Sequence, residues 1–134
     1  MPRKGTGDYP AGWWEFAVQL KDAAGWCCVR CGHPHDPPAG YCLTVHHASM
    51  NKAEPFAHWW AFWVLCQRCH LSVQARVDLT RPWVMLPHSA WARPYIAGWY
   101  AWRYAGLLLT RAEVMARLDE LLALERAACG LVPA

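Results

Sequence analysis

Cys28-Val29-Arg30-Cys31 and, farther along, Leu65-Cys66-Gln67-Arg68-Cys69-His70 are the stretches that decide the fold. Each Cys-x2-Cys pair can grip one metal ion through both thiolates, and a tetrahedral Zn2+ takes four such ligands at about 2.3 Å. Gly32 follows the first pair and can supply the left-handed turn of a metal knuckle. The second pair opens a stretch, residues 67–77, that reads as a short helix, whose N-terminal amides favour thiolate charge. The competing reading is a pair of redox dithiols or buried thiols; two matched pairs in one short chain favour zinc. A site closed by four thiolates has no open position, so it is structural and adds roughly 10 kcal/mol or more to folding at neutral pH. Cys27, Cys42 and Cys129 lack a matching partner and read as small core residues, with Cys27 the competitor of Cys28 for the ligand position.

The rest of the composition fits one metal-stapled domain. A chain of 134 residues can bury about 68% of its unfolded surface, so a true core is available. Charged residues make up 17%, against a usual ~25%, which excludes a disordered, solvating segment. The longest uncharged stretches, 37–51 and 55–67, fall short of the ~18 apolar residues that span a bilayer. Met1-Pro2-Arg3-Lys4-Gly5 leads into no apolar h-region, which predicts a cytoplasmic protein without a secretory signal. In that compartment seven Cys need a reason other than disulfides. The net charge of +3 permits an anionic partner without requiring one.

Working outward from the pairs, residues 1–10 read as a mobile basic arm containing Pro2, Gly5, Gly7 and Pro10. A helix is predicted from about Ala11 to Ala24, because Trp13, Phe16, Ala17 and Leu20 share one face, with Gly25 as its stop. Tyr41 to His47 reads as a strand, and Trp63-Val64-Leu65 as its hairpin partner. From residue 78 the chain becomes an aromatic-rich extension, with a helix expected around Tyr95–Tyr104. Thr110-Arg111-Ala112-Glu113 is a capping box, and Val114, Leu118, Leu121 and Leu122 give the last helix one apolar face, with Gly130 as its stop. The domain division is therefore an arm at 1–10, a single domain at 11–109, and a C-terminal helix at 110–134 that packs on it or serves oligomerisation. Ala-Gly-Trp recurs at 11–13, 24–26 and 97–99, but the unequal gaps rule out an architectural repeat.

Between the Cys pairs lies Leu43-Thr44-Val45-His46-His47, and His70 follows the last Cys directly. Neighbouring strand residues point to opposite faces, so His46 and His47 have different roles. A hairpin closed by zinc brings one of them to His70, leaving the other as a free base. An open metal site beside a base is what metal-assisted hydrolysis requires. His33, His35, His58 and His88 read as hydrogen-bonded packing residues.

Taken together, Cys28-x2-Cys31, then Leu-Thr-Val-His46-His47, then Leu65-Cys66-x2-Cys69-His70 resembles the zinc-stapled HNH endonucleases. The resemblance spans about residues 24–77 and includes Ala-Gly-Trp before the first pair and Trp-Trp before the second, as in small phage and bacterial HNH proteins. It implies an α+β fold: a treble-clef-like ββα-metal core with structural zinc on Cys28, Cys31, Cys66 and Cys69, flanked by N-terminal and C-terminal helices. It implies that His46 and His70 hold a catalytic divalent cation and that His47 is the general base in hydrolysis of a DNA phosphodiester, yielding a 5′-phosphate end. For two imidazoles without a carboxylate, Mg2+ is a poor match in softness, and Mn2+, Ni2+, Co2+ or Zn2+ suits better. The family's middle Asn follows Trp-Trp; here Trp59-Trp60 is followed by Ala61, and Ala61→Asn is expected to raise turnover if that side chain matters.

Phosphate contacts need basic groups. Lys52, in the loop after His47, and Arg68, inside the second pair, are the leading candidates, ahead of Arg3, Lys4, Arg30, Arg76, Arg81 and Arg93. With so low a net charge, strong DNA affinity calls for a homodimer or a phage packaging or replication partner; no membrane is expected. Three classes of function follow: a DNA endonuclease, a DNA-binding or assembly protein whose catalysis fails at Ala61, and a structural zinc module with an aromatic protein interface.

Overall fold

The computed structural model describes residues 9–49, 53–74 and 89–125, and within them it is an α+β arrangement of five α-helices and one antiparallel hairpin. The expectations placed on residues 1–8, Lys52, Arg76, Arg81, His88, Cys129 and Gly130 lie outside the described residues, as does the aromatic extension between 78 and 88.

Helix α1 (Trp13–Ala23) turns Trp13 and Ala17 inward. Gly25, at φ +66°, ends it: its N–H bonds Asp22 O and the Trp26 N–H bonds Lys21 O, the paired closure that a left-handed residue at this point allows. A loop pinned by isolated bridges Cys27–Pro34 and Asp36–Tyr41 leads to β1 (Leu43–His47), which pairs with β2 (Phe62–Cys66). The register sets Thr44 opposite Leu65 and His46 opposite Trp63 on one face; Leu43, Val45 and His47 face Cys66, Val64 and Phe62 on the other. All five β2 residues are buried, because α1 covers one face while α2 (Gln67–Gln74) and the aromatic layer cover the other. The Ala48 N–H continues the ladder to Ala61 O at 2.9 Å.

Helix α3 (Arg93–Ala105) is longer than the aromatic pattern predicted and runs against the turn Trp59–Ala61. Gly98 makes this possible, since a Cβ there would lie 2.8 Å from Trp60 Cδ1 and 3.1 Å from Trp59 Cζ2. The Trp59 indole N–H reaches Leu109 O at 2.8 Å, and that of Trp63 reaches Trp60 O at 2.8 Å. Trp63 packs on Trp91 and Tyr95, so the tryptophans bind the helical tail to the hairpin.

The capping box of the last helix is present: Thr110 Oγ1 accepts from Glu113 N–H at 3.2 Å while the Glu113 carboxylate accepts from Thr110 N–H at 2.9 Å. The helix is nevertheless broken. Arg117, at φ −126°, divides it into α4 (Arg111–Ala116) and α5 (Leu118–Leu122). Val114 and Leu121 both pack on the short side chains Ala97 and Ala101 of α3, and Arg93 pairs with Asp119 at 3.0 Å. Both halves of the broken helix therefore rest on α3.

Candidate metal centre

The first Cys pair sits in a tight knuckle. Gly32 adopts φ +78° and its N–H bonds Cys28 O at 2.9 Å, while the Arg30 and Cys31 N–H groups point to Cys28 Sγ at 3.4 and 3.5 Å. The second pair joins the end of β2 to the first turn of α2, with Cys69 N–H directed at Cys66 Sγ at 3.4 Å. The sulfurs of Cys28, Cys31, Cys66 and Cys69 all lie within 4.8 Å of one another, and Cys31 and Cys66 are 3.8 Å apart. Four sulfurs about 2.3 Å from a tetrahedral Zn2+ would be about 3.8 Å apart, so the cluster fits one structural zinc. These four are free thiols, as are Cys27 and Cys42. The choice between Cys27 and Cys28 falls to Cys28, for Cys27 Sγ is turned to Gly25 O.

The four thiols of the cluster differ in their electrostatic surroundings. Burial opposes a Cys28 thiolate, but the backbone N–H groups of Cys31, Cys66 and Arg30 outweigh it and bring that thiol down to about 7. Burial pushes Cys69 up to about 12, with neighbouring thiols adding to it and the Arg30 guanidinium, 3.4 Å from its sulfur, opposing. Burial likewise raises Cys31. The backbone amides favour a Cys28 thiolate while burial opposes ionisation of Cys31 and Cys69, and a bound Zn2+ would supply the charge that offsets this burial. Arg30, offered by the sequence for phosphate contact, is thus engaged at the thiols.

The histidines separate as strand alternation requires. His46 is 2% exposed and lies beside His70, ring centroids 5.1 Å apart, with Trp63 as its cross-strand neighbour. Burial, then the charges of His70 and His47, lower His46 to about 4, and burial lowers His70. His46 Nε2 has no hydrogen-bond partner among the described residues. His70 Nδ1 meets Thr44 Oγ1 at 2.7 Å. His47 occupies the opposite face, stacked on Trp13 at 4.7 Å and edge-on to Phe62 at 5.6 Å. His46 and His70 lie together on one face of the hairpin, while His47 packs among aromatic rings on the other. Among the described residues only the four Cys form a group of three or more convergent metal ligands.

Ala61 is fully buried, and its backbone is committed at both ends: its N–H to His58 O and its C=O to Ala48 N–H. The main chain therefore ties the segment after His47. Arg68 is exposed, but its guanidinium reaches Ala39 O at 3.1 Å and lies over the Tyr41 ring. Arg93 is paired with Asp119, so each of the three described phosphate candidates has an internal partner. His33 stacks on Tyr41, His58 pairs with Glu54 and stacks on Trp60, and His35, though exposed, accepts at Nδ1 from Leu43 N–H. Thr44 is the residue the sequence did not single out for the site, and Arg30, read there as a phosphate contact, sits instead at the Cys69 sulfur. Thr44 was detectable, since it lies two residues before His46 and so shares its strand face.

No helix of the described residues is long and apolar enough to cross a membrane. Comparison with protein-family models, curated proteins and solved structures finds no match to this chain.

Proposed function

We propose that the chain is a zinc-stapled, metal-dependent DNA endonuclease of the HNH type. One observation carries the reading: His46 is almost wholly buried with an unpartnered Nε2, set beside His70 on the first turns of a helix anchored by the Cys cluster. A buried imidazole nitrogen without a partner is costly, and a metal ion is a partner that both rings can share. Two imidazole ligands leave positions open, and a divalent cation there would supply Lewis-acid stabilisation of a phosphodiester. In this reading the zinc cluster fixes α2 against the hairpin, His46 and His70 serve as ligands, and His47 accepts the proton of the attacking water. The water oxygen bonds to phosphorus as the bond to the 3′ oxygen breaks, and that oxygen takes a proton from solvent, leaving a 5′-phosphate and a 3′-hydroxyl. Phosphate grip falls to Lys52 and Arg68, with a second copy or a phage partner adding charge.

The place of His47 favours a second reading. Stacked on Trp13 across the strand from His46, it has the surroundings of a packing residue. The chain would then be a zinc-stapled DNA-binding or assembly protein without turnover. Nicking of supercoiled plasmid with Mg2+, Mn2+ and Ni2+ decides between them. The nuclease reading expects activity that falls about 10²–10⁴-fold in His47→Ala and is lost in His46→Ala. Equal nicking by wild type and His46→Ala would overturn it. No nicking, with gel-shift binding that weakens steeply with salt, selects the second reading.

A further inference from the structure

Thr44 Oγ1 lies 2.8 Å from Leu65 O and 2.7 Å from His70 Nδ1. Both contacts are at hydrogen-bond length, and each needs a proton. The hydroxyl owns one, and Leu65 O, a carbonyl, can only accept. If the hydroxyl proton went to His70 Nδ1, two oxygens with no proton between them would face each other at 2.8 Å. The arrangement that satisfies both contacts has Thr44 O–H donating to Leu65 O and His70 Nδ1–H donating to Thr44 Oγ1. A neutral imidazole carries one ring N–H, so Nε2 of His70 then holds a free lone pair.

We infer that Thr44 is a positioning residue that locks His70 in its Nδ1–H tautomer and presents Nε2 as a ready ligand beside His46. Metal-binding imidazoles use the proton of the second nitrogen in this way, and loss of the outer partner costs about 10–100-fold in metal affinity. The anchor is rigid, because Leu65 O and Thr44 belong to paired strands and the whole of β2 is buried. The metal-binding part of this inference rests on the His46–His70 centre proposed above; the tautomer does not.

The test uses the full-length protein with zinc on its four Cys, ¹⁵N-labelled, near pH 8. Long-range ¹H–¹⁵N spectra of the histidine rings, with His70 identified by its loss in His70→Gln, report which nitrogen carries the proton. Wild type and Thr44→Ser are expected to show His70 as Nδ1–H, and Thr44→Val a mixture of tautomers. Ni2+ titration of the same zinc-loaded samples should show binding weakened about 10–100-fold in Thr44→Val and restored in Thr44→Ser. Retained zinc and an unchanged melting temperature in Thr44→Ser separate positioning from folding. An Nε2–H tautomer in wild type, or a Thr44→Val protein with unaltered tautomer and Ni2+ affinity, overturns the proposal. If wild type shows Nδ1–H but takes up no Ni2+, the lock stands while its metal-binding role and the nuclease reading fail together.

Discussion

At the scale of single residues, His46 shows what the fold imposes on one side chain. Its pKa is lowered by burial from the usual 6.5 to about 4. Between those values the unfolded chain takes up a proton that the folded chain refuses. The stability His46 permits is therefore complete above pH 6.5 and is lost as pH falls through that window, about 3 kcal/mol by pH 4. Urea midpoints of zinc-loaded wild type and His46→Gln should accordingly diverge in slope on acidification, the variant changing less. Parallel profiles would show that His46 is protonated in the fold. Ala61 meets a different limit. It is fully buried with both backbone groups bonded, so an Asn at this position brings extra volume and polar atoms into a filled site. Ala61→Asn is expected to lower stability by about 1–3 kcal/mol, read as a fall in Tm, rather than to act on turnover alone. An unchanged Tm would reveal room and partners for the amide.

At the scale of elements, helices and strands were legible wherever a local rule governs them. The hairpin followed from β-branched and aromatic runs, α1 from its spaced apolar face and Gly25, and the start of α4 from Thr110 and Glu113. What escaped was set by distant contacts. The break at Arg117 falls between two segments that both rest on α3, and α3 is itself seated at Gly98 on Trp59 and Trp60. Gly98 exposes this dependence. On an open helix surface Gly→Ala would stabilise by about 1 kcal/mol. Here the new Cβ would press on Trp60 at 2.8 Å, and overpacking of this kind costs about 1–3 kcal/mol. Gly98→Ala should therefore lower the thermal midpoint. A rise would mean that α3 can shift away from the tryptophan pair without loss.

At the scale of the molecule, the sheet formed by the described residues has two strands, and an isolated hairpin is marginal in water. Three supports compensate: α1 on one face, α2 with the tryptophan layer on the other, and the Cys cluster that ties residues 28–31 to the junction of β2 and α2. The cluster was legible because Cys-x2-Cys spacing is local chemistry written twice; the tryptophan layer was not, since indoles carry no pattern that names their partners. The balance of the three decides what happens on metal removal. A structural zinc contributes roughly 10 kcal/mol or more, and a domain of this size has about 5–15 kcal/mol in total. Chelation under reducing conditions should therefore abolish the near-ultraviolet signal of the packed tryptophans in the same transition that releases zinc to a colorimetric chelator. Restoring Zn2+ should recover both. Tryptophan packing that survives complete zinc release would instead make the aromatic layer the principal support of the fold, with the metal confined to holding α2 and His70 in place.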